Sequence, residues 1–107
     1  MANTYKNYKM DLVDTDNESV YTVPDATTGI IKSIIVSEDT GATPTITLTL
    51  VDSSAAVFSL FKTKALTANG TLELLTEPLV AQQNEIIKAQ ASAGNQLHIV
   101  ISVLEIS

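Results

Sequence analysis

The residue types able to do chemistry are few and poorly grouped. His98 is the only histidine, and it stands inside the apolar run Leu97 to Ile106 with no acidic or glycine-rich motif beside it. A nucleophile, a base and an orienting acid must converge for triad chemistry, so His98 reads as a structural or surface residue. With one histidine and no cysteine, a zinc site would have to be built from carboxylates, an uncommon donor set. Asp14-x-Asp16-Asn17-Glu18 opens like a calcium loop, but Ser19 stands where such a loop needs glycine and Asp25 where it needs a bidentate glutamate. A solvated turn is the expectation. Glu38-Asp39 and Glu73/Glu77 are the carboxylate pairs that a glycosidase reading would use. The first precedes Gly41 with neighbouring side chains pointing apart, and the second lies at the two ends of one strand-to-turn segment. Both read as loop charge. The four glycines are singly placed, so no phosphate-cradling loop is present. The chain is expected to have no catalytic, cofactor-binding or metal-binding residues and not to be an enzyme.

The elements that position these residues are strands. Apolar residues recur with period two almost throughout, the signature of half-buried β-structure. Thr45-Ile46-Thr47-Leu48-Thr49-Leu50-Val51 is the clearest case: Ile46, Leu48 and Leu50 face a core, and the threonines line the opposite face. Further strands are predicted over Ser19–Val23, Thr28–Ser37, Ala56–Lys62, Thr71–Leu75, Glu85–Ala91 and Leu97–Ile106. Turn chemistry at Pro24, Asp52-Ser53-Ser54, Asn69-Gly70 and Ser92-Ala93-Gly94-Asn95 separates them. Thr28–Ser37 carries apolar residues on both faces, as for a strand in the middle of a packed structure. A helix over 79–90 fits less well, because Ile86-Ile87 stands alone between polar stretches. Residues 1–16 read as an N-terminal arm or an edge strand. The expected fold is all-β: a single antiparallel sandwich of seven to eight strands spanning 1–107, jelly-roll-like or immunoglobulin-like.

Composition narrows the function classes. With 107 residues the chain suffices for one core. Its 45% hydrophobic content argues against disorder, and its 17% charged content is below the roughly 25% typical of soluble domains, as if a partner covers part of the surface. The net charge is −6, with six lysines, no arginine and twelve acids, which argues against nucleic-acid binding. No apolar run approaches the length of about 20 residues needed to span a membrane as a helix. Among the aromatic residues, Phe58 and Phe61 read as core, whereas Tyr5, Tyr8 and Tyr21 suit a half-buried polar-apolar patch. Tyr5, Lys6, Tyr8, Lys9 and Tyr21 are the candidate interface residues.

The segments Val20-Tyr21-Thr22-Val23-Pro24, Gly29-Ile30-Ile31-Lys32-Ser33-Ile34-Ile35-Val36, Ile46-Thr47-Leu48-Thr49-Leu50-Val51-Asp52, Gly70-Thr71-Leu72-Glu73-Leu74-Leu75 and Glu85-Ile86-Ile87-Lys88-Ala89-Gln90-Ala91-Ser92 follow one another in an order and at spacings that resemble small β-sandwich virion proteins of tailed bacteriophages. The resemblance covers residues 20–106. It implies a structural role as a capsid decoration (cement) protein, made in the host cytoplasm and carried on the virion head, with the major capsid protein or another virion protein as partner. A homo-oligomer, trimeric to match local shell symmetry, is expected. A neck, tail or fibre-attachment adaptor is the alternative, and a carbohydrate-binding adhesion module the second.

Overall fold

The computed structural model describes residues 2–107. Among these residues there are nine strands and no helix: β1 (Asn3–Leu12), β2 (Glu18–Thr22), β3 (Thr28–Glu38), β4 (Thr45–Val51), β5 (Val57–Ala65), β6 (Thr71–Glu73), β7 (Leu79–Ala81), β8 (Ile86–Ala91) and β9 (Leu97–Ile106). One sheet runs β1-β9-β3-β6, with β7 also on β3, and the other runs β2-β8-β4-β5. All the pairings are antiparallel. β6 and β7 pair with the two ends of β3 and flank the Pro78 segment, so they act as one strand interrupted where proline cannot donate. Counted so, the chain crosses between the sheets at every connection except the β4–β5 hairpin. That is the jelly-roll order, and it decides between the two sandwiches expected from sequence.

The core is set by alternation. On β9, Leu97, Ile99, Ile101, Val103 and Glu105 point inward and their neighbours outward. Facing them from the smaller sheet are Ile46 and Leu48 of β4, Ile87, Ala89 and Ala91 of β8, and Tyr21 of β2. Each fully buried Ile or Leu contributes about 1.5–3 kcal/mol by leaving water. β3 carries a register shift between Ile31 and Ser33. The extra residue, Lys32, is exposed, and the shift lets both Ile31 and Ile34 face the core although they are three apart. Residues 3–12 form a true edge strand rather than an arm, held to β9 by ten register pairs without a break. Met1 lies outside the described residues.

Two expectations are corrected, at Phe58 and in the Asn69-Gly70 turn, and the strand expected over Glu85–Ala91 is present as β8. Phe58 is 53% exposed rather than core; it lies on β5, an edge strand with a neighbour on one side only. Phe61, by contrast, packs against the core. The segment 79–90 holds β7 and β8 joined by a turn at Gln82–Glu85, with no helix. At Asn69-Gly70 the left-handed residue is Asn69, at φ 55°. Gly70 is needed for closeness instead, since a Cβ there would meet the Thr67 carbonyl oxygen at 3.1 Å.

Candidate functional site

β1, β9, β3 and β7 lie side by side, and their registers align outward-facing residues across the sheet. Tyr5 of β1 is opposite Leu104 of β9, Leu104 is opposite Ile30 of β3, and Ile30 is opposite Val80 of β7. The result is an apolar row across four strands on the outer face. Tyr5 is 76% and Val80 56% exposed; Leu104 and Ile30, flanked on both sides, are half-buried. Two rows along, Val100 and Ile35 make a second apolar pair, with Ile35 also in contact with water. Asn7, Ser102 and Ser33 lie between the two rows. The outward side chains of β3 and β9 would suit a central strand covered on both faces, but the described residues supply only two sheets. The described residues leave this face open.

Beside the row is a shallow depression of about 430 Å³ lined by Tyr5, Lys6, Asn7, Lys32, Ser102 and Val103. The bulge in β3 places Lys32 there. Lys9 is exposed one turn of the pleat further along β1, where its ammonium donates to Asn7 Oδ1 at 3.0 Å.

The inward side of the same corner is built differently. Glu105 is 6% exposed. Its carboxylate accepts hydrogen bonds from the hydroxyls of Tyr8 (2.8 Å) and Tyr21 (2.9 Å) and pairs with Lys6 Nζ at 3.1 Å. The rings of Tyr8 and Tyr21 pack with centroids 4.4 Å apart. Burial alone pushes the Glu105 carboxyl up, yet the three donors and the Lys6 charge outweigh it and leave it below its ordinary value. The hydrogen bond and charge of Glu105 raise Lys6. Burial first, and Glu105 second, raise both tyrosines. The cluster ties β1 and β9 of one sheet to β2 of the other, and satisfied buried networks of this kind fix one packing.

The five candidate interface residues therefore separate. Tyr5, Lys6 and Lys9 reach the surface of β1. Tyr8 is half-buried against Glu105. Tyr21 is 1% exposed and is corrected to a core residue, because the β2 bulge between Ser19 and Tyr21 turns it under the larger sheet. Ile30, Ile35, Val80, Val100 and Leu104 were missed. Their signal was the doubled Ile30-Ile31 and Ile34-Ile35 and the near-continuous apolar run of β9, which fill both faces of those strands.

His98 and the acidic groups singled out from sequence are placed as follows. His98 is half-exposed between Asp11 Oδ1 (3.3 Å) and Asp39 Oδ2 (3.6 Å), a surface position as expected. The carboxylates of Asp14, Asp16 and Glu18 lie within 4.8 Å of one another at an exposed turn. Asp14 accepts from the Asp16 N–H, which makes the segment an Asx turn. Glu38 is not loop charge: it is 2% exposed. Its carboxylate accepts from the N–H groups of Thr40 (2.9 Å), Gly41 (3.0 Å) and Asn69 (2.9 Å) and from the Thr40 hydroxyl. The Thr40 hydroxyl leads these donors, which together outweigh burial and hold the carboxyl at about 2. Glu73 accepts from the Ser33 hydroxyl and from the Ile34 N–H at 2.8 Å, stitching the β3 bulge, while Glu77 is exposed in the Pro78 segment. Comparison with protein-family models and with curated proteins gives no match.

Proposed function

We propose that this chain is a non-enzymatic structural protein that assembles through the outer face of β1-β9-β3-β7, and that its setting is the virion of a tailed bacteriophage. There it acts as a decoration protein on the head shell. The observation that carries the reading is the apolar row Tyr5, Leu104, Ile30 and Val80 across four strands. Contiguous apolar surface of this kind on a small protein marks an interaction site. Covering it would give β3 and β9 the two-sided burial their sequences are suited to. Jelly rolls occur among both viral shell and lectin domains, so the fold is compatible with this role without assigning it. The partner under this reading is the major capsid protein or another virion protein, with self-association into a trimer matching local shell symmetry. A glycan-binding role through Tyr5, Tyr8 and Tyr21 has less support, since two of the three rings are turned inward.

The test is reattachment of purified protein to particles stripped of it, read by cryo-EM. Density repeated over the icosahedral shell is expected, and its loss for Tyr5→Glu and Val80→Glu at unchanged circular dichroism. Both sites are exposed, so the fold should tolerate the changes. Density confined to the neck, tail or a vertex would move the protein to the adaptor role. Full shell occupancy by both variants would refute the proposed face.

A further inference from the structure

The two sheets expose four edges, and three of them are interrupted. β2 has five residues and a register shift. β5 has two shifts and a left-handed Thr63 at φ 50°. β6 and β7 have three residues each and are separated by Pro78. Such devices keep sheet edges from pairing with other chains. β1 has ten residues in continuous register with β9 on one side, and no strand of the described residues pairs with its other side. Its hydrogen-bonding phase can be read from both ends. Ala2 and Ser107 exchange both backbone hydrogen bonds, at 2.8 and 2.9 Å, and the Leu12 carbonyl accepts from the Asn95 N–H at 2.9 Å. In an antiparallel ladder such pairs alternate with unbonded ones. Thr4, Lys6, Tyr8, Met10 and Leu12 therefore bond to β9, and the N–H and C=O groups of Asn3, Tyr5, Asn7, Lys9 and Asp11 point to the open edge.

That phase restricts how a second copy can pair antiparallel with this edge, because odd-numbered residues must face odd-numbered ones. The whole strand is used when the two-fold axis passes through Asn7. Asn3 then faces Asp11 of the second copy, Tyr5 faces Lys9, and Asn7 faces Asn7. On the inner side, where Lys6 pairs with its own Glu105, Lys6 faces Tyr8 and Thr4 faces Met10. Lysines on an edge ordinarily discourage pairing, but here each lysine of β1 meets a tyrosine ring, which favours a cation, and no like charges are opposed. An axis at Lys6 or Lys9 would set that lysine against its own copy, which destabilises a strand pair. The axis at Asn7 also joins the outer rows. Lys9, Val100 and Ile35 form one row of each copy, and Tyr5, Leu104, Ile30 and Val80 form another. Each row runs into the other kind across the join, where the ring of Tyr5, 76% exposed in the single chain, meets the apolar stem of Lys9. The polar row of Asn7, Ser102 and Ser33 between them runs into itself. An axis at Tyr8 would break this match, setting Tyr5 against Asp11 and Asn7 against Lys9.

We infer that the open edge of β1 takes β1 of a second copy of this chain, antiparallel about a two-fold axis at Asn7, so that the two larger sheets become one. Strand addition of this type takes affinity from main-chain hydrogen bonds and selectivity from the side chains beside them. The contact is isologous, each copy giving the same strand to the other. It is distinct from the threefold contact of a trimer, and it leaves the outer face of both copies open to the partner proposed above, as one wider surface with matched apolar rows.

The free chain tests this. Sedimentation equilibrium from micromolar to millimolar protein should pass from 11.4 kDa to twice that mass. Amide hydrogen exchange at Asn3, Tyr5, Asn7, Lys9 and Asp11 should slow as the dimer fills, and the even-numbered amides of β1, already bonded to β9, should change less. Asn7→Pro removes the N–H that each copy donates at the axis, and proline is tolerated where that N–H faces solvent in the single chain. It should keep the chain monomeric at unchanged circular dichroism. Cross-linking reads the register, because the chain has no cysteine of its own. Asn7→Cys places the two thiols on residues whose Cα atoms are about 5.5 Å apart, and a short bismaleimide should join them. Asn3→Cys places them about 27 Å apart, and it should not. A chain that stays monomeric throughout, edge amides that exchange freely in an oligomer, a folded Asn7→Pro that still dimerises, or equal cross-linking at the two cysteines overturns the inference. If Asn7→Pro does not fold, the cross-linking pair decides alone. Tyr5→Glu separates this contact from shell attachment: it sets a carboxylate opposite Lys9 of the second copy, so the dimer should persist while shell density is lost. A monomer that still decorates the shell would remove the strand pairing and leave the assembly role standing.

Discussion

Removing the Tyr21 hydroxyl isolates how the buried corner holds the sandwich together. Tyr21→Phe deletes the hydrogen bond to Glu105 at 2.9 Å and leaves Glu105 with Tyr8 and Lys6. A hydrogen bond to a charged group contributes about 1.5–3 kcal/mol net. Because the carboxylate keeps two partners, we expect the lower part of that range, about 2 kcal/mol. Unfolding entropy of about 2.1 cal/mol/K per residue converts this to a fall in Tm of about 9 °C for a chain of this length. Gly29 supplies the second half of the experiment. A Cβ on it would lie 2.8 Å from Tyr21 Oη, 3.3 Å from Tyr21 Cε2 and 3.4 Å from Val103 Cγ2. Tyr21 cannot swing aside without giving up Glu105, so Gly29→Ala should cost about 1–3 kcal/mol in the wild type. Once the oxygen is gone the closest of these contacts disappears, and the same alanine should cost about 1 kcal/mol less. Chemical denaturation of the four proteins of this cycle measures the coupling. Additivity within about 0.5 kcal/mol would refute the proposed packing of Tyr21 against Gly29. The pH dependence adds a check with a fixed sign. Glu105 is depressed in the folded state, so its contribution is present above the unfolded carboxyl value and lost as pH falls through the folded one. The deficit of Tyr21→Phe should shrink over that acidic window.

Glu38→Gln should lower Tm at neutral pH, because one carboxylate oxygen becomes an amide donor aimed at N–H groups. It should also flatten the Tm–pH curve between the ordinary carboxylate value and about 2, where wild-type Glu38 loses its charge-assisted contribution as pH falls; an unchanged acid limb would contradict its role as anchor of the β3–β4 and β5–β6 loops. Phe58→Ser should change stability by less than about 0.5 kcal/mol, whereas Ile101→Ala should cost about 2–5 kcal/mol. Paired thermal melts check this, and comparable losses would mean that the start of β5 is packed. Glu73→Ala should raise amide exchange at Ile34, whose N–H the carboxylate accepts at 2.8 Å, while leaving the exchange of core β9 amides unchanged; equal rates at Ile34 would exclude that stitch.

The period-two reading located most strands because side-chain alternation is a property of a few adjacent residues. Ile46 and Leu48 were marked for the core by their own neighbours, and they are buried there. The same local signal marked β3 as apolar on both faces, without saying that the described chain would leave one of those faces open. That took the order of the sheets. The fates of Tyr21 and Phe58 were not legible, since a bulge in β2 turns one aromatic under the opposite sheet and the edge position of β5 leaves the other in water. The donors to Glu105 are distant in sequence, Tyr21 and Tyr8 lying 84 and 97 residues away, so no local pattern shows them; Glu38 takes most of its donors from its own turn, and only the Asn69 N–H, 31 residues away, comes from elsewhere. By itself the sequence determined strands, turns and a two-faced apolar pattern. Tertiary structure decided which edge stayed regular, which row of side chains aligned across it, and which charges were buried, because each of those depends on registers between strands far apart in the chain.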